Sequence, residues 1–132
     1  MKKFLSVILF FSILFSVCAC AKKMATEKIR DIEFTVVEEK NIPEELKTMM
    51  EGKEVFKLTY ADQGSLYVAV GYGKQPTSGY SIAVKECYET ENAIYVHTNL
   101  IGPAKEERIV ETATYPYLVI KLEFVDKNVV FQ

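Results

Sequence analysis

Apolar and polar residues alternate in short runs along most of the chain, the pattern of half-buried β-strands. One segment differs, because residues 43–51 carry apolar side chains at helical spacing. The predicted strands occupy residues 33–39, 54–60, 65–72, 80–88, 93–101, 117–124 and 129–131, and residues 108–114 are expected to form a short extended segment. The apolar side of the predicted helix is formed by Ile42, Leu46, Met49 and Met50. We therefore predict a helix that lies against a sheet.

Residues at the ends of the helix support its assignment. Asn41 and Glu44 have the spacing of a capping box, and Gly52 is suited to end the helix. One helix with about six or seven antiparallel strands predicts an α+β domain, mainly antiparallel β, whose sheet curls or closes into a small barrel. We assign residues 31–132 to this domain. Residues 20–30 are polar and aperiodic, which predicts a linker.

Two hairpins are expected from local turn chemistry. Asp62-Gln63-Gly64 supplies turn residues between two alternating runs. The second hairpin turns at Glu91-Asn92, and its more apolar register pairs Ile82, Val84 and Tyr88 with Leu100, Thr98 and Ile94.

The first twenty residues are typical of an export signal. Lys2 and Lys3 precede an apolar run over residues 4–17, which is shorter than the ~20 residues that span a bilayer. The run ends in Val17-Cys18-Ala19-Cys20, which resembles the lipobox of bacterial lipoproteins. That resemblance implies a signal peptide over residues 1–19 and fatty acylation (palmitate or a similar chain) of Cys20. The protein would then be exported and anchored to the cell membrane or outer membrane. An ordinary secretory signal or a single membrane anchor is the alternative.

Charge and residue inventory limit the possible functions. Without Lys2 and Lys3 the chain keeps 14 basic against 18 acidic residues, which disfavours nucleic-acid binding. Outside the signal Cys87 is the only cysteine, so no internal disulfide can form. His97 is the only histidine, and in the favoured register Cys87 lies opposite Tyr95, with no oxyanion site nearby. We therefore expect no catalytic residues, metal, cofactor or small-molecule substrate.

The glycine-rich stretch Gly71 to Ser81 is the most unusual segment of the domain. A phosphate-binding loop is excluded, because a strand pattern rather than a helix follows Gly79. Gly71, Gly73 and Gly79 permit positive φ, and Pro76 stiffens the segment. Two interpretations remain, a structural crossover and a protein-binding loop. The residues of the binding loop would be Gly73, Lys74, Pro76, Thr77, Ser78, Gly79 and Tyr80.

Three separated elements resemble the C-terminal domain of the protease complex subunit PrcB family. They are Gly73-Lys74-Gln75-Pro76-Thr77-Ser78-Gly79-Tyr80-Ser81-Ile82, then Pro103, then Thr114-Tyr115-Pro116-Tyr117-Leu118-Val119. The family pattern favours glycine where this chain has Ser78. The resemblance covers about residues 55–131 and makes Tyr115, Pro116 and Tyr117 family-motif residues. It implies an exported, non-catalytic accessory protein that associates with an extracellular protease complex.

A second resemblance concerns Pro76-Thr77-Ser78-Gly79-Tyr80 alone. This stretch is similar to the Asn-Pro-Thr-Thr-Gly-Tyr loop of chagasin-like inhibitors of cysteine proteases, with Gln75 in place of the asparagine. A protease inhibitor is therefore one alternative function. A general cell-envelope binding domain with a purely structural glycine loop is the other.

Overall fold

The computed structural model describes residues 27–132. These residues form eight strands: β1 Lys28–Asp31, β2 Phe34–Val36, β3 Val55–Asp62, β4 Ser65–Tyr72, β5 Ser81–Thr90, β6 Ala93–Ile101, β7 Tyr117–Glu123 and β8 Asn128–Phe131. A 3-10 turn, Glu39–Asn41, and one helix, α1 Glu44–Met50, lie between β2 and β3. The predicted signal peptide and Cys20 lie outside the described residues.

The strands make two four-stranded sheets. Sheet A has the order β1-β5-β6-β8, and sheet B has the order β2-β7-β4-β3. All pairs are antiparallel except β6 and β8, which run parallel. The α+β class, mainly antiparallel, is confirmed. The expected barrel is wrong, since both sheets keep open edges, and residues 27–132 hold eight strands rather than six or seven.

The additional strand comes from the segment predicted as a linker. Lys28–Asp31 is too polar to read as a strand in the sequence, and all four of its residues are exposed. It nevertheless pairs with β5, with Asp31 opposite Tyr88 and Lys28 opposite Thr90. Lys28–Asp31 is therefore a strand because its backbone pairs with β5, and not because its side chains are buried.

The first predicted hairpin is confirmed. Asp62 of β3 pairs with Ser65 of β4, which leaves Gln63 and Gly64 as a two-residue turn. Both turn residues have positive φ, at 49° and 79°. Two left-handed residues in succession match the right-handed twist of the flanking strands, which explains the preference for glycine at the second position.

The register predicted for the second hairpin is right in one half only. Ile82 pairs with Leu100 and Val84 with Thr98, as expected. The register then shifts between Val84 and Glu86, so Lys85 is an extra residue and Tyr88 lies opposite Tyr95 instead of Ile94. A β-bulge of this kind moves every later pair by one position. Cys87 consequently lies opposite Val96, not Tyr95.

Two hydrophobic clusters hold the domain. The larger fills the space between the sheets and includes Leu66, Val68, Val70, Cys87, Ile94, Val96, Ile120 and Leu122. The smaller lies on the other face of sheet B, where Ile42 and Leu46 of the helical segment cover Phe56, Ala69 and Val119. The helix is confirmed, but Met49 is exposed and not part of its buried side.

The predicted capping box does not form. Asn41 ends the 3-10 turn, and Pro43 precedes the first helical residue with no side-chain cap. Pro43 is the N-cap residue, with an extended ψ of 141°, and its carbonyl accepts a hydrogen bond from the amide of Lys47 at 3.0 Å.

A buried carboxylate joins three segments of the fold. Glu89 on β5 accepts hydrogen bonds from Arg30 Nε on β1 at 2.8 Å and from Lys127 Nζ at 2.5 Å. Lys127 lies between β7 and β8 and also donates to the carbonyl of Thr90 at 2.9 Å. These donors lower the pKa of Glu89, Lys127 first and Arg30 second, because they stabilise its charged form.

Candidate functional site

The glycine-rich segment forms one half of a pair of loops. We call residues 73–80, between β4 and β5, the recognition loop, and residues 102–116, between β6 and β7, the bracing loop. The amide of Gln75 donates to the carbonyl of Thr114 at 2.8 Å, and the amide of Thr114 donates back at 3.0 Å. This isolated two-residue bridge joins the loops through their backbones.

Polar side chains add further bonds between the two loops. The amide of Ser78 donates to the carbonyl of Val110 at 3.0 Å, and the Ser78 hydroxyl accepts from the amide of Val110 at 2.8 Å. The Thr114 hydroxyl donates to the carbonyl of Thr77 at 2.7 Å. The recognition loop is therefore held in one path by the bracing loop, a form of preorganisation that lowers the entropic cost of binding.

Gly79 is the position where the loop pair tolerates no side chain. Its φ is +89°, and a Cβ there would lie 2.8 Å from the Pro103 side chain and against the Glu107 carboxylate. The positive φ expected at Gly73 is also found, but Gly71 has none and lies buried in β4 beneath the Phe56 ring. Pro103 and Glu107 thus close over the end of the recognition loop.

The loop residues divide into those that face solvent and those that hold the loop. Lys74, Pro76 and Gly79 are exposed, Thr77, Ser78 and Tyr80 are half-buried, and Gly73 is buried. Exposed apolar side chains surround the loop pair or lie at the adjoining strand ends: Val55, Ile101, Ile109, Val110, Tyr115 and Tyr117. They are half of the twelve large apolar side chains that are exposed in residues 27–132. These exposed apolar side chains gather at one end of the domain, a composition suited to protein contact.

Two of the family-motif residues, Tyr115 and Pro116, end the bracing loop, and Tyr117 begins β7. The carbonyl of Pro116 accepts from the amide of Tyr72, the last residue of β4, at 3.2 Å. Tyr115 and Tyr117 line a cavity of about 330 Å³ beside the helix. Tyr117 is 41% exposed, and its partial burial, with the charge of Glu39 as a smaller cause, raises the pKa of its hydroxyl. The other lining residues are Glu39, Ile42, Lys47, Met50, Glu51, Lys53, Glu54 and Phe56.

Cys87 and His97 do not form a catalytic pair. Cys87 is buried between the sheets, and burial raises the pKa of its thiol, with the charge of Asp31 as a smaller cause. His97 pairs with Glu86 and follows the buried Val96, so strand alternation directs its ring to the opposite face of sheet A. A thiol that is kept protonated is a poor nucleophile.

Other kinds of site were sought in the described part of the chain. Residues 27–132 contain no group of three or more histidine, cysteine or acidic side chains placed to hold a metal ion. Among the same residues no helix is long and apolar enough to cross a membrane.

The fold and the site define a small open β-sandwich with one helix and a braced pair of loops at one end. Residues 66–123 match the sequence model of the family described as PrcB C-terminal, so this part of the chain is similar to that family. The match runs from β4 to the end of β7 and contains both loops and Tyr115-Pro116-Tyr117. No curated protein and no solved structure matches the chain.

The bracing loop was not recognised as part of the site from the sequence. Val110 and Glu107 belong to no motif, and their contacts with Ser78 and Gly79 span long stretches of chain. Within this loop the sequence signal was limited to Pro103 and to Thr114, Tyr115 and Pro116, which belong to the family pattern.

Proposed function

We propose that this protein is a non-catalytic accessory subunit of an extracellular protease complex and binds its partner through the recognition loop and the apolar surface around it. The observation that carries the proposal is the PrcB C-terminal match, which spans both loops. The exposed residues that would contact the partner are Lys74 and Pro76 in the recognition loop and Val110 and Tyr115 in the bracing loop.

The loop pair has the physical properties of a protein-binding site. Its path is held by four backbone and side-chain hydrogen bonds to Thr114 and Val110, in addition to the Thr114 hydroxyl bond to Thr77. Exposed tyrosines offer a large contact area with few rotatable bonds. Lys74 forms no ion pair in the described residues, so it is available to attract an acidic partner and speed association.

We propose a non-catalytic role because of where the two reactive side chains, Cys87 and His97, lie. Cys87 is enclosed by the core and His97 lies on the other face of its sheet. The function then consists of binding, and the partner supplies the protease activity.

The proposal includes export and a lipid anchor at Cys20. The basic start, the apolar run and Val17-Cys18-Ala19-Cys20 support it. Only residues 21–27 would separate such an anchor from β1, so the domain would stay within about 25 Å of the bilayer surface.

Affinity capture from native membranes tests the proposal. The full-length protein and a Val110→Asp variant serve as baits, and captured proteins are identified by mass spectrometry. We expect the unchanged protein to capture a protease or its assembly factor, and Val110→Asp to lose at least most of it. Val36→Asp is the matched control, because Val36 and Val110 are similarly exposed at 57% and 62% and Val36 lies in β2, outside both loops. Equal capture by all three baits would reject the loop surface.

The inhibitor alternative gives a different result in a second assay. A chagasin-like inhibitor would stop purified papain-like enzymes at one molecule per enzyme, whereas an accessory subunit would leave their activity unchanged. Stoichiometric inhibition that disappears when Pro76, Thr77 and Ser78 are changed to alanine would replace the proposed function.

A further inference from the structure

The longest free sheet edge of the described chain is β3. It is the last strand of sheet B, and no strand of residues 27–132 pairs with its outer side. β3 has eight residues and pairs with β4 without a register shift. The other edge strands are shorter, with four residues in β1, three in β2 and four in β8. The part of β5 that β1 leaves unpaired, residues 81–86, is also shorter and contains the bulge at Lys85, so β3 is the longest regular template.

The direction of the backbone groups along β3 follows from its turn. Asp62 and Ser65 flank a two-residue turn, so they form a hydrogen-bonded pair. Alternation then directs the N–H and C=O groups of Phe56, Leu58 and Tyr60 to β4. The N–H and C=O groups of the alternate residues point away from β4, toward the free edge. These residues are Val55, Lys57, Thr59 and Ala61. The hydrogen bonds on the other side of β4 agree with this alternation. The carbonyl of Gly64, the residue before Ser65, accepts from the amide of Phe124 at 3.0 Å and so points away from β3.

Nothing in the described chain covers this edge. The side chains of the same four residues lie on the face of sheet B that opposes sheet A, yet all four are exposed, and Val55 is 70% exposed. Natural edges are usually protected by bulges, prolines or several charges. β3 has no bulge or proline, and its only central charge, Lys57, has no ion-pair partner in the described residues.

We propose that the β3 edge binds an extended segment of the partner protein, which adds to sheet B as a fifth strand. This inference rests on the proposed function, because the partner is the protein that the recognition loop binds. The edge and that loop are continuous, since a Cβ at Gly73 would lie 2.8 Å from the Val55 side chain. One partner can therefore contact both.

The chemistry of the edge selects its occupant. Outward donors and acceptors recur at every second residue of β3, a spacing that an extended backbone matches and a helix does not. Lys57 favours an acidic side chain at the centre of the added strand. Val55 favours an apolar residue at the end beside the recognition loop.

Peptide selection tests the proposal without the protease. A phage library of random peptides about 12 residues long, enough to span the edge, is selected on the full-length protein in detergent. We expect the selected peptides to combine acidic and apolar residues and to slow amide exchange at Lys57, Thr59 and Ala61. Protection elsewhere, or failure to select any peptide, would overturn the proposal.

A proline substitution supplies the matched pair of variants. Thr59→Pro removes an outward N–H without removing a bond to β4, whereas Thr59→Ala keeps that N–H. We expect Thr59→Pro to weaken peptide binding at least about tenfold and Thr59→Ala to leave it unchanged. Equal binding by the two variants contradicts the proposal. If Thr59→Pro does not fold, Lys57→Glu replaces it, and undiminished binding of acidic peptides by Lys57→Glu would count against the edge.

Two further outcomes distinguish this proposal from self-association at the β3 edge and from the proposed function. If sedimentation shows a dimer that Thr59→Pro converts to a monomer, the occupant is a second copy and the proposal is wrong. If Thr59→Pro captures the same membrane partners in the same yield as the unchanged protein, the proposed function stands and the edge is rejected.

Discussion

Gln75 and Thr114 exchange two backbone hydrogen bonds, at 2.8 and 3.0 Å, between loops that are distant in sequence. The path of the recognition loop therefore depends on the bracing loop as much as on its own glycines and proline. A change in either loop is expected to alter the other, because Ser78, Thr77 and Gln75 all bond across the pair.

Gly79→Ala tests this dependence. A Cβ at φ +89° is strained and meets Pro103 and Glu107, so we expect a loss of about 1–2 kcal/mol in the free energy of unfolding. Urea denaturation measures the loss. Gly102→Ala is the control, since a Cβ there has only an ordinary contact with Tyr80 at 3.6 Å. Similar stability of the two variants would show that the loops do not need the close approach at Gly79.

Glu89 predicts an acid-dependent loss of stability. Its pKa is lowered in the folded protein from an ordinary value near 4.5, because Lys127 and Arg30 donate to its carboxylate. A lowered pKa contributes stability that is fully present above the unfolded pKa and is lost as the pH falls through the folded value. We therefore expect Glu89→Gln to destabilise the protein at pH 7 and to flatten the decline in stability below about pH 4.5.

The measurement for Glu89 is denaturant unfolding between neutral and acidic pH. Glu86→Gln is the matched control on the same strand, because Glu86 is exposed and its carboxylate accepts no hydrogen bond from a described residue. A Glu89→Gln protein with the same pH profile as the unchanged chain would contradict the assignment.

Cys87 is expected to be chemically inert in the folded protein. Burial encloses the thiol and raises its pKa, so little thiolate is present near neutral pH. Iodoacetamide should leave Cys87 unmodified under native conditions and modify it after unfolding in guanidinium, as followed by peptide mass spectrometry. A Ser81→Cys variant, exposed on the same strand, should react in both conditions. Rapid native labelling of Cys87, or a Cys87-linked dimer on a non-reducing gel, would oppose this prediction.

Cys20→Ser tests the lipid anchor. The variant should no longer incorporate labelled fatty acid and should leave the membrane fraction, because the acylated sulfur would be absent. Cys18→Ser is the control and should remain membrane-bound. Continued fatty-acid labelling of the Cys20→Ser protein would refute acylation at this residue.

Local chemistry explains which parts of the fold were predictable. The β3–β4 hairpin depends on the turn residues Gln63 and Gly64 and on the two strands next to them. A short stretch of sequence therefore contains its whole pattern. The helix is likewise recognisable from the spacing of Ile42 and Leu46. The β5–β6 hairpin was half predictable, because the bulge at Lys85 has no turn residue or glycine to mark it.

The remaining features depend on distant contacts. β1 is polar and becomes a strand only because β5 offers an edge for it. The parallel pairing of β8 with β6 has no local signal, since the two strands are separated by the bracing loop and β7. In the candidate site Gly73, Pro76 and Gly79 were recognisable from composition, whereas the roles of Val110 and Glu107 arise only when the two loops meet.

The order of strands in sheet A has a consequence for biosynthesis. β1 and β8 are the first and last described strands, and both belong to this sheet. During vectorial synthesis the side of β6 that faces β8 therefore stays unpaired until Phe131 has emerged, while the β3–β4 and β5–β6 hairpins can already form. A nascent chain with a finished hairpin and an unfinished sheet is the species that a chaperone must keep from aggregating.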